Sequence, residues 1–157
     1  MVLPDLDNRD RITQFVRDFY RQVAMDDLLG PVFARAHVDW AAHIPKLVDF
    51  WSWQLLGEPR YERNPLRAHE PVHARDPFGP ELYERWLELF DGTVDDGYCG
   101  PIADLAKDRA RRMAQALQRL LAGAVSDWSS RVVPLTPMLQ SRRKASIGSG
   151  ARIQLSP

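Results

Sequence analysis

Four side chains in this sequence pair a ring that can ligate or donate with a setting that could use it. His69 ends the string PLRAH, in a proline-flanked stretch that belongs to no periodic core segment. Through one ring nitrogen an imidazole can ligate a metal while the other donates to a backbone carbonyl. Tyr20, His43 and Trp86 lie on three separate segments, each beside an apolar stripe and each with a polar atom on a large ring. Donors of that kind, converging from several helices, would stabilise a partly negative ligand. Trp40, Phe50, Trp51 and Trp53 offer a large aromatic area that would wall a flat cofactor as readily as fill a core. Spacing alone favours plainer accounts: an idle loop histidine, an edge tyrosine, a satisfied core histidine and core-filling aromatics.

The segments that would hold these groups are helical. Ile12, Phe15, Val16, Phe19 and Val23 recur at three- and four-residue steps between Asp10 and Met25, with Tyr20 on the margin of the stripe. Gly30 and Pro31 make a sharp corner with a short helical turn carrying Val32 and Phe33. Asp39 is a good N-cap for a second long helix closed by Gly57, with Trp40, Leu47, Phe50, Trp51 and Leu55 on one face. Pro45 lies beyond the first turn of that helix, which either kinks there or starts only near Ala42. The stretch 57–80 holds five prolines, so an irregular segment with at most one helical turn is expected around PLRAHE. Pro80 opens a third helix with Leu82, Tyr83, Trp86, Leu89, Phe90 and Val94 on its apolar face. Pro101 opens a fourth, with Ile102, Leu105, Ala106, Met113, Leu117, Leu120 and Leu121 expected inward. No segment alternates as a strand, so the fold class is all-α.

The 157 residues, 45% hydrophobic, suffice for one folded domain, expected over 1–123. Lysine plus arginine and aspartate plus glutamate both number 21, which leaves no strong field to attract nucleic acid or a membrane. Past Gly123 the basic Arg131, Arg142, Arg143, Lys144 and Arg152 face only Asp127. The Ser/Gly-rich tail 124–157 is expected to be disordered. Cys99 is the lone cysteine, so no internal disulfide forms and a reducing compartment suits the chain. The acidic, polar start MVLPDLDNRD does not resemble a signal peptide, and a cytoplasmic protein is expected. On composition alone, a cofactor-free helical module that binds a partner through its basic tail stays open.

An ordered series of strings narrows this. FY at 19 and 20, LLGPVF from 28, Trp40 three residues before His43, FW at 50 and 51, LLGE from 55, PLRAH from 65 and RWLELF from 85 together resemble the group III truncated haemoglobins. The resemblance spans roughly residues 10 to 121, and its specificity lies in the combination. It implies a two-over-two helical sandwich around haem b, with the first two long helices in one layer and the last two in the other. By the same resemblance His69 matches the proximal iron ligand, Tyr20 the tyrosine that hydrogen-bonds the bound gas, His43 the distal histidine and Trp86 the tryptophan completing the polar pocket. Phe19, Trp40, Phe50 and Trp51 match aromatics that wall the haem. His73, one turn after His69, is the rival ligand, and Pro45 could turn His43 outward. Arg67 is a candidate partner for a haem propionate. The implied ligand is a diatomic gas: oxygen, nitric oxide or carbon monoxide. A crowded donor set favours nitric oxide or peroxide chemistry, or ligand sensing, over bulk transport. An electron-donating reductase would have to be separate, since no flavin or nicotinamide motif occurs, and the oligomeric state is left open.

Overall fold

The computed structural model describes residues 1–122, and the expected tail 124–157 lies outside the described residues. Helix α1 spans Arg9–Met25, with Asn8 as its N-cap, the side chain accepting from the Arg11 amide. Ile12, Phe15, Val16, Phe19, Tyr20 and Val23 are its buried residues, so Tyr20 belongs fully to the stripe. Asp26 stops α1 and starts the next turn, its Oδ1 accepting from the amides of Leu28 and Leu29. Helix α2, Gly30–Arg35, follows at once. The corner requires glycine: a Cβ on Gly30 would lie 2.7 Å from the Ala24 carbonyl oxygen.

Helix α3 runs unbroken from Trp40 to Leu56. Asp39 caps it through the Ala41 and Ala42 amides, and Gly57 ends it at φ 71°, a left-handed position that favours glycine. Pro45 therefore neither delays nor ends the helix. It is exposed, as is Ala41, whose carbonyl loses its partner, so water can take the freed acceptor.

The largest departure from expectation is α4, Pro65–Arg75, an 11-residue helix where at most one turn was foreseen. Pro65 stands in the first turn, where its missing N–H costs nothing, and Asn64 caps the Leu66 amide at 3.0 Å. Pro71 removes one internal bond, but it and Arg67 are both exposed to water. Helix α5 covers Pro80–Gly97, and α6 covers Pro101–Ala122.

Helix α1 packs on α3 and crosses α5. Helix α5 packs on α6, α3 meets α6, and α4 rests on α6. The buried line of α6 is Ala103, Ala106, Ala110 and Ala114, while Ile102, Leu105 and Met113 are only half-buried beside it. Ala106 is buried as expected, and Ile102, Leu105 and Met113 pack against the core from the margin of the alanine line. The amino-terminal segment is tied to the start of α6: Asp5 accepts from the Ile102 and Ala103 amides at 3.1 and 2.7 Å. Arg9 ion-pairs with both Asp49 and Glu58, linking the start of α1 to α3. Among the described residues there is no strand, and no helix is long and apolar enough to cross a membrane.

Candidate functional site

The crossing of α1 over α3 and α5 gathers aromatic rings from all of these helices and from α2. The Tyr20 ring lies 5.9 Å from Trp40, 6.4 Å from His43 and 6.5 Å from Phe33. Phe33 stacks on Trp40 at 5.3 Å, and Trp40 lies 6.0 Å from His43. From α5, Trp86 meets Phe19 edge-on at 5.3 Å and stacks on Phe90 at 5.2 Å. Trp51 packs between Phe50 and Phe90, at 5.3 and 4.9 Å. Tyr20, His43 and Trp86, on three different helices, thus share one region. Pro45 leaves His43 half-buried and turned toward Tyr20.

The Tyr20 hydroxyl is buried, and burial pushes its pKa well above the usual phenol value. Hydrogen bonding from the indoles of Trp86 and Trp51 works the other way without overcoming it. The phenol therefore keeps its proton and can donate. Trp51, expected as a wall residue, is buried between Phe50 and Phe90.

The two histidines of α4 differ in one hydrogen bond. His69 Nδ1 lies 2.6 Å from the Pro65 carbonyl oxygen, an atom that only accepts, so Nδ1 carries the proton and Nε2 is a bare lone pair. His73 Nδ1 instead receives the Phe78 amide N–H at 3.1 Å, which puts the proton of neutral His73 on Nε2. Phe78 packs against both rings, at 6.5 Å from His69 and 5.2 Å from His73. Between Pro77 and Gly79 it carried no periodic signal, and the sequence gave no reason to single it out. Burial lowers the pKa of His69, the Pro65 bond partly opposing, so the ring is neutral and able to ligate. His43 is lowered too, first by burial, then by the charge that His69 and Lys46 would carry, which puts His43 within electrostatic reach of His69.

Two apolar rows border this region at helical spacing. Trp40, Ile44 and Leu47 lie on α3, and Leu82, Trp86 and Leu89 on α5. All six pack on the core yet remain half-exposed. Among the described residues, no group of three or more His, Cys, Asp or Glu could hold a bare metal ion. A metal bound through one imidazole here would need its other ligands from a macrocycle, and a flat apolar one would cover the two rows. The residues fit haem. Arg67 is exposed on α4, two positions before His69.

No family profile matches the chain. Among curated proteins it is 32% identical over 118 residues to the group 3 truncated hemoglobin ctb of Campylobacter jejuni, covering 73% of this chain and 91% of that one. Among solved structures it superposes on the crystal structure of the group III truncated hemoglobin from Campylobacter jejuni with a TM-score of 0.69 and 30% identity. That match covers 81% of this chain and all of the other. The helical frame is the truncated globin fold, a two-over-two sandwich, and the cofactor that goes with it is haem. An ordered set of strings, six helices that superpose on a known globin, and a bare imidazole nitrogen beside half-covered apolar rows lead to one assignment: the chain belongs to the group III truncated haemoglobins.

Proposed function

We propose that this globin holds haem b through His69 Nε2 and binds a diatomic gas before a donor set of Tyr20, His43 and Trp86. One observation carries this reading: His69 spends its Nδ1 proton on the Pro65 carbonyl, 2.6 Å away, leaving Nε2 bare, whereas the nitrogens of His73 are committed in the opposite sense. A carbonyl acceptor behind a ligating imidazole also holds the ring in orientation and raises its basicity. When bound, haem supplies a redox-active iron able to take oxygen, nitric oxide or carbon monoxide.

The rest of the chemistry belongs to the side chains. Tyr20, kept protonated by burial, donates to the outer atom of the gas. Trp86 brings a second N–H, and His43 a third donor or a gate. Phe19, Trp40, Phe50 and Trp51 form the walls, and Arg67 pairs with a propionate. Preorganised donors aimed at developing negative charge slow release and lower barriers to reactions of the bound gas. The reading is therefore nitric oxide oxidation, peroxide reduction or ligand sensing in the cytoplasm, with electrons from a separate reductase, and not bulk transport.

The test is an absorption spectrum of the reduced, carbon monoxide-bound protein. Wild type and His73→Ala should share one Soret band, and His69→Ala should lose it and regain it with added imidazole. The reverse pattern would move the ligand to His73.

A further inference from the structure

We propose that the Tyr83 hydroxyl is a buried anchor for haem: it donates its proton to one of the propionate carboxylates, on the His69 side of the macrocycle. This rests on the reading of His69 as the iron ligand, and it leaves Arg67 to the other propionate. Tyr83 stands next to Leu82 and one turn before Trp86 on α5, beside the apolar row that a macrocycle would cover. Its ring meets Phe78 edge-on at 6.3 Å, and Phe78 packs against His69 and His73 at 6.5 and 5.2 Å. One ring thereby joins Tyr83 to both histidines of α4. The side chain is half-buried, yet its hydroxyl oxygen is enclosed and, among the described residues, has no hydrogen-bond partner. A buried polar atom left alone is costly and uncommon, so an acceptor from outside the chain is called for.

The side chains of that cluster cannot take the proton. His69 Nδ1 donates to the Pro65 carbonyl, and its Nε2 lone pair goes to iron. His73 Nδ1 is filled by the Phe78 amide, and its Nε2 carries a proton of its own. The Phe78 ring has no acceptor atom. Burial raises the Tyr83 pKa, so the phenol stays protonated and remains a donor. What haem offers such a donor is limited. Its pyrrole nitrogens are held by the iron, and the gas binds on the face opposite His69. Only the carboxylates remain, and a phenol donating to a carboxylate makes a short, charge-assisted bond.

The experiment loads the full chain, wild type and Tyr83→Phe, with haem b or with haem whose carboxylates are methyl esters. Two quantities are read: the rate of haem transfer to excess apomyoglobin and the propionate-bending band in resonance Raman. With haem b, Tyr83→Phe should speed transfer by about tenfold or more, the loss of one hydrogen bond to a charged group, and should move the bending band. With the diester, which has no charged acceptor, the two proteins should differ far less. The same acceleration with both cofactors would overturn the proposal, because a merely structural Tyr83 acts whether or not the carboxylates are free. An unmoved bending band would overturn it too, and would leave the hydroxyl to a water molecule.

Two further variants separate this inference from the reading beneath it. If His69→Ala keeps its Soret band, the iron ligand lies elsewhere and the inference falls with that reading. If His69→Ala loses the band while Tyr83→Phe alters neither transfer nor Raman, Tyr83 alone loses its role. His73 Nε2 also carries a proton beside Phe78. A bending band that moves in His73→Ala and not in Tyr83→Phe would give the carboxylate to His73 and overturn the assignment to Tyr83.

Discussion

Replacing Tyr20 with Phe removes one oxygen atom from a side chain that is 6% exposed and leaves the ring contacts with Phe19, Phe33 and Trp40 in place. The lost interaction is a hydrogen bond to a gas carrying partial negative charge, of the class worth about 1.5–3 kcal/mol. With about 1.4 kcal/mol for each factor of ten, oxygen release should accelerate by roughly 10- to 150-fold. Two structural features decide where in that range the value falls. Burial keeps water from replacing the hydroxyl, which pushes the effect up. Trp86 and His43 stay as donors in the same region, which pulls it down. A change of about 10- to 50-fold is therefore expected. Stopped-flow mixing of the oxygenated protein with excess carbon monoxide gives the rate. Carbon monoxide release is the control, because that ligand develops less negative charge and should change far less. An unchanged oxygen rate, or equal acceleration of both gases, would show that Tyr20 governs access or packing and not hydrogen bonding.

Three further outcomes are expected. The Asp26 carboxyl is held below the usual carboxylate range: burial opposes this, and the Leu29 amide, Arg85 and the Leu28 amide overcome it. Its stabilisation is present above an unfolded pKa of about 4 and is lost as pH falls through the lower folded value. Asp26→Asn should therefore cost about 1–2 kcal/mol in urea unfolding at neutral pH, with the gap to wild type narrowing as the pH is taken below the usual carboxylate range. Arg35 Nε and Nη2 reach Asp76 at 2.8 and 2.6 Å, joining α2 to the end of α4. An exposed pair of this kind is worth about 0–1 kcal/mol, so Arg35→Ala should speed haem transfer to excess apomyoglobin by up to about fivefold, with high salt erasing the difference and the charge-swapped double variant restoring it. Asp5→Ala removes the cap on the Ile102 and Ala103 amides and should cost about 1–2 kcal/mol in thermal unfolding while leaving the carbon monoxide spectrum unchanged.

The sequence by itself determined the elements whose signals are local. The stripe from Ile12 to Val23, the Asp39 and Gly57 ends of α3, and the prolines opening α5 and α6 are all legible because a helix's face and caps depend on residues within a turn or two. Helix α4 exceeds the single turn expected for a related reason. Counting prolines treats Pro65 and Pro71 as breakers, although the first sits where no N–H is needed and the second faces water. In α6 the leucines outweighed the alanines in any hydropathy reading, yet close approach of the helices placed Ala103, Ala106, Ala110 and Ala114 at the centre.

The candidate site was legible only as a set of residue types. His69 and His73 are the same side chain one turn apart, and nothing local separates them. What differs is that one ring finds the Pro65 carbonyl and the other the Phe78 amide, which gives them opposite tautomers. That Tyr20 meets His43, and that Trp86 packs on Phe19 next to Tyr20, follows from the way α1 lies against α3 and α5. Helical periodicity says which face of each helix is buried. Which side chains on those faces meet is decided by crossing angle and axial register, and these are set by packing between segments dozens of residues apart.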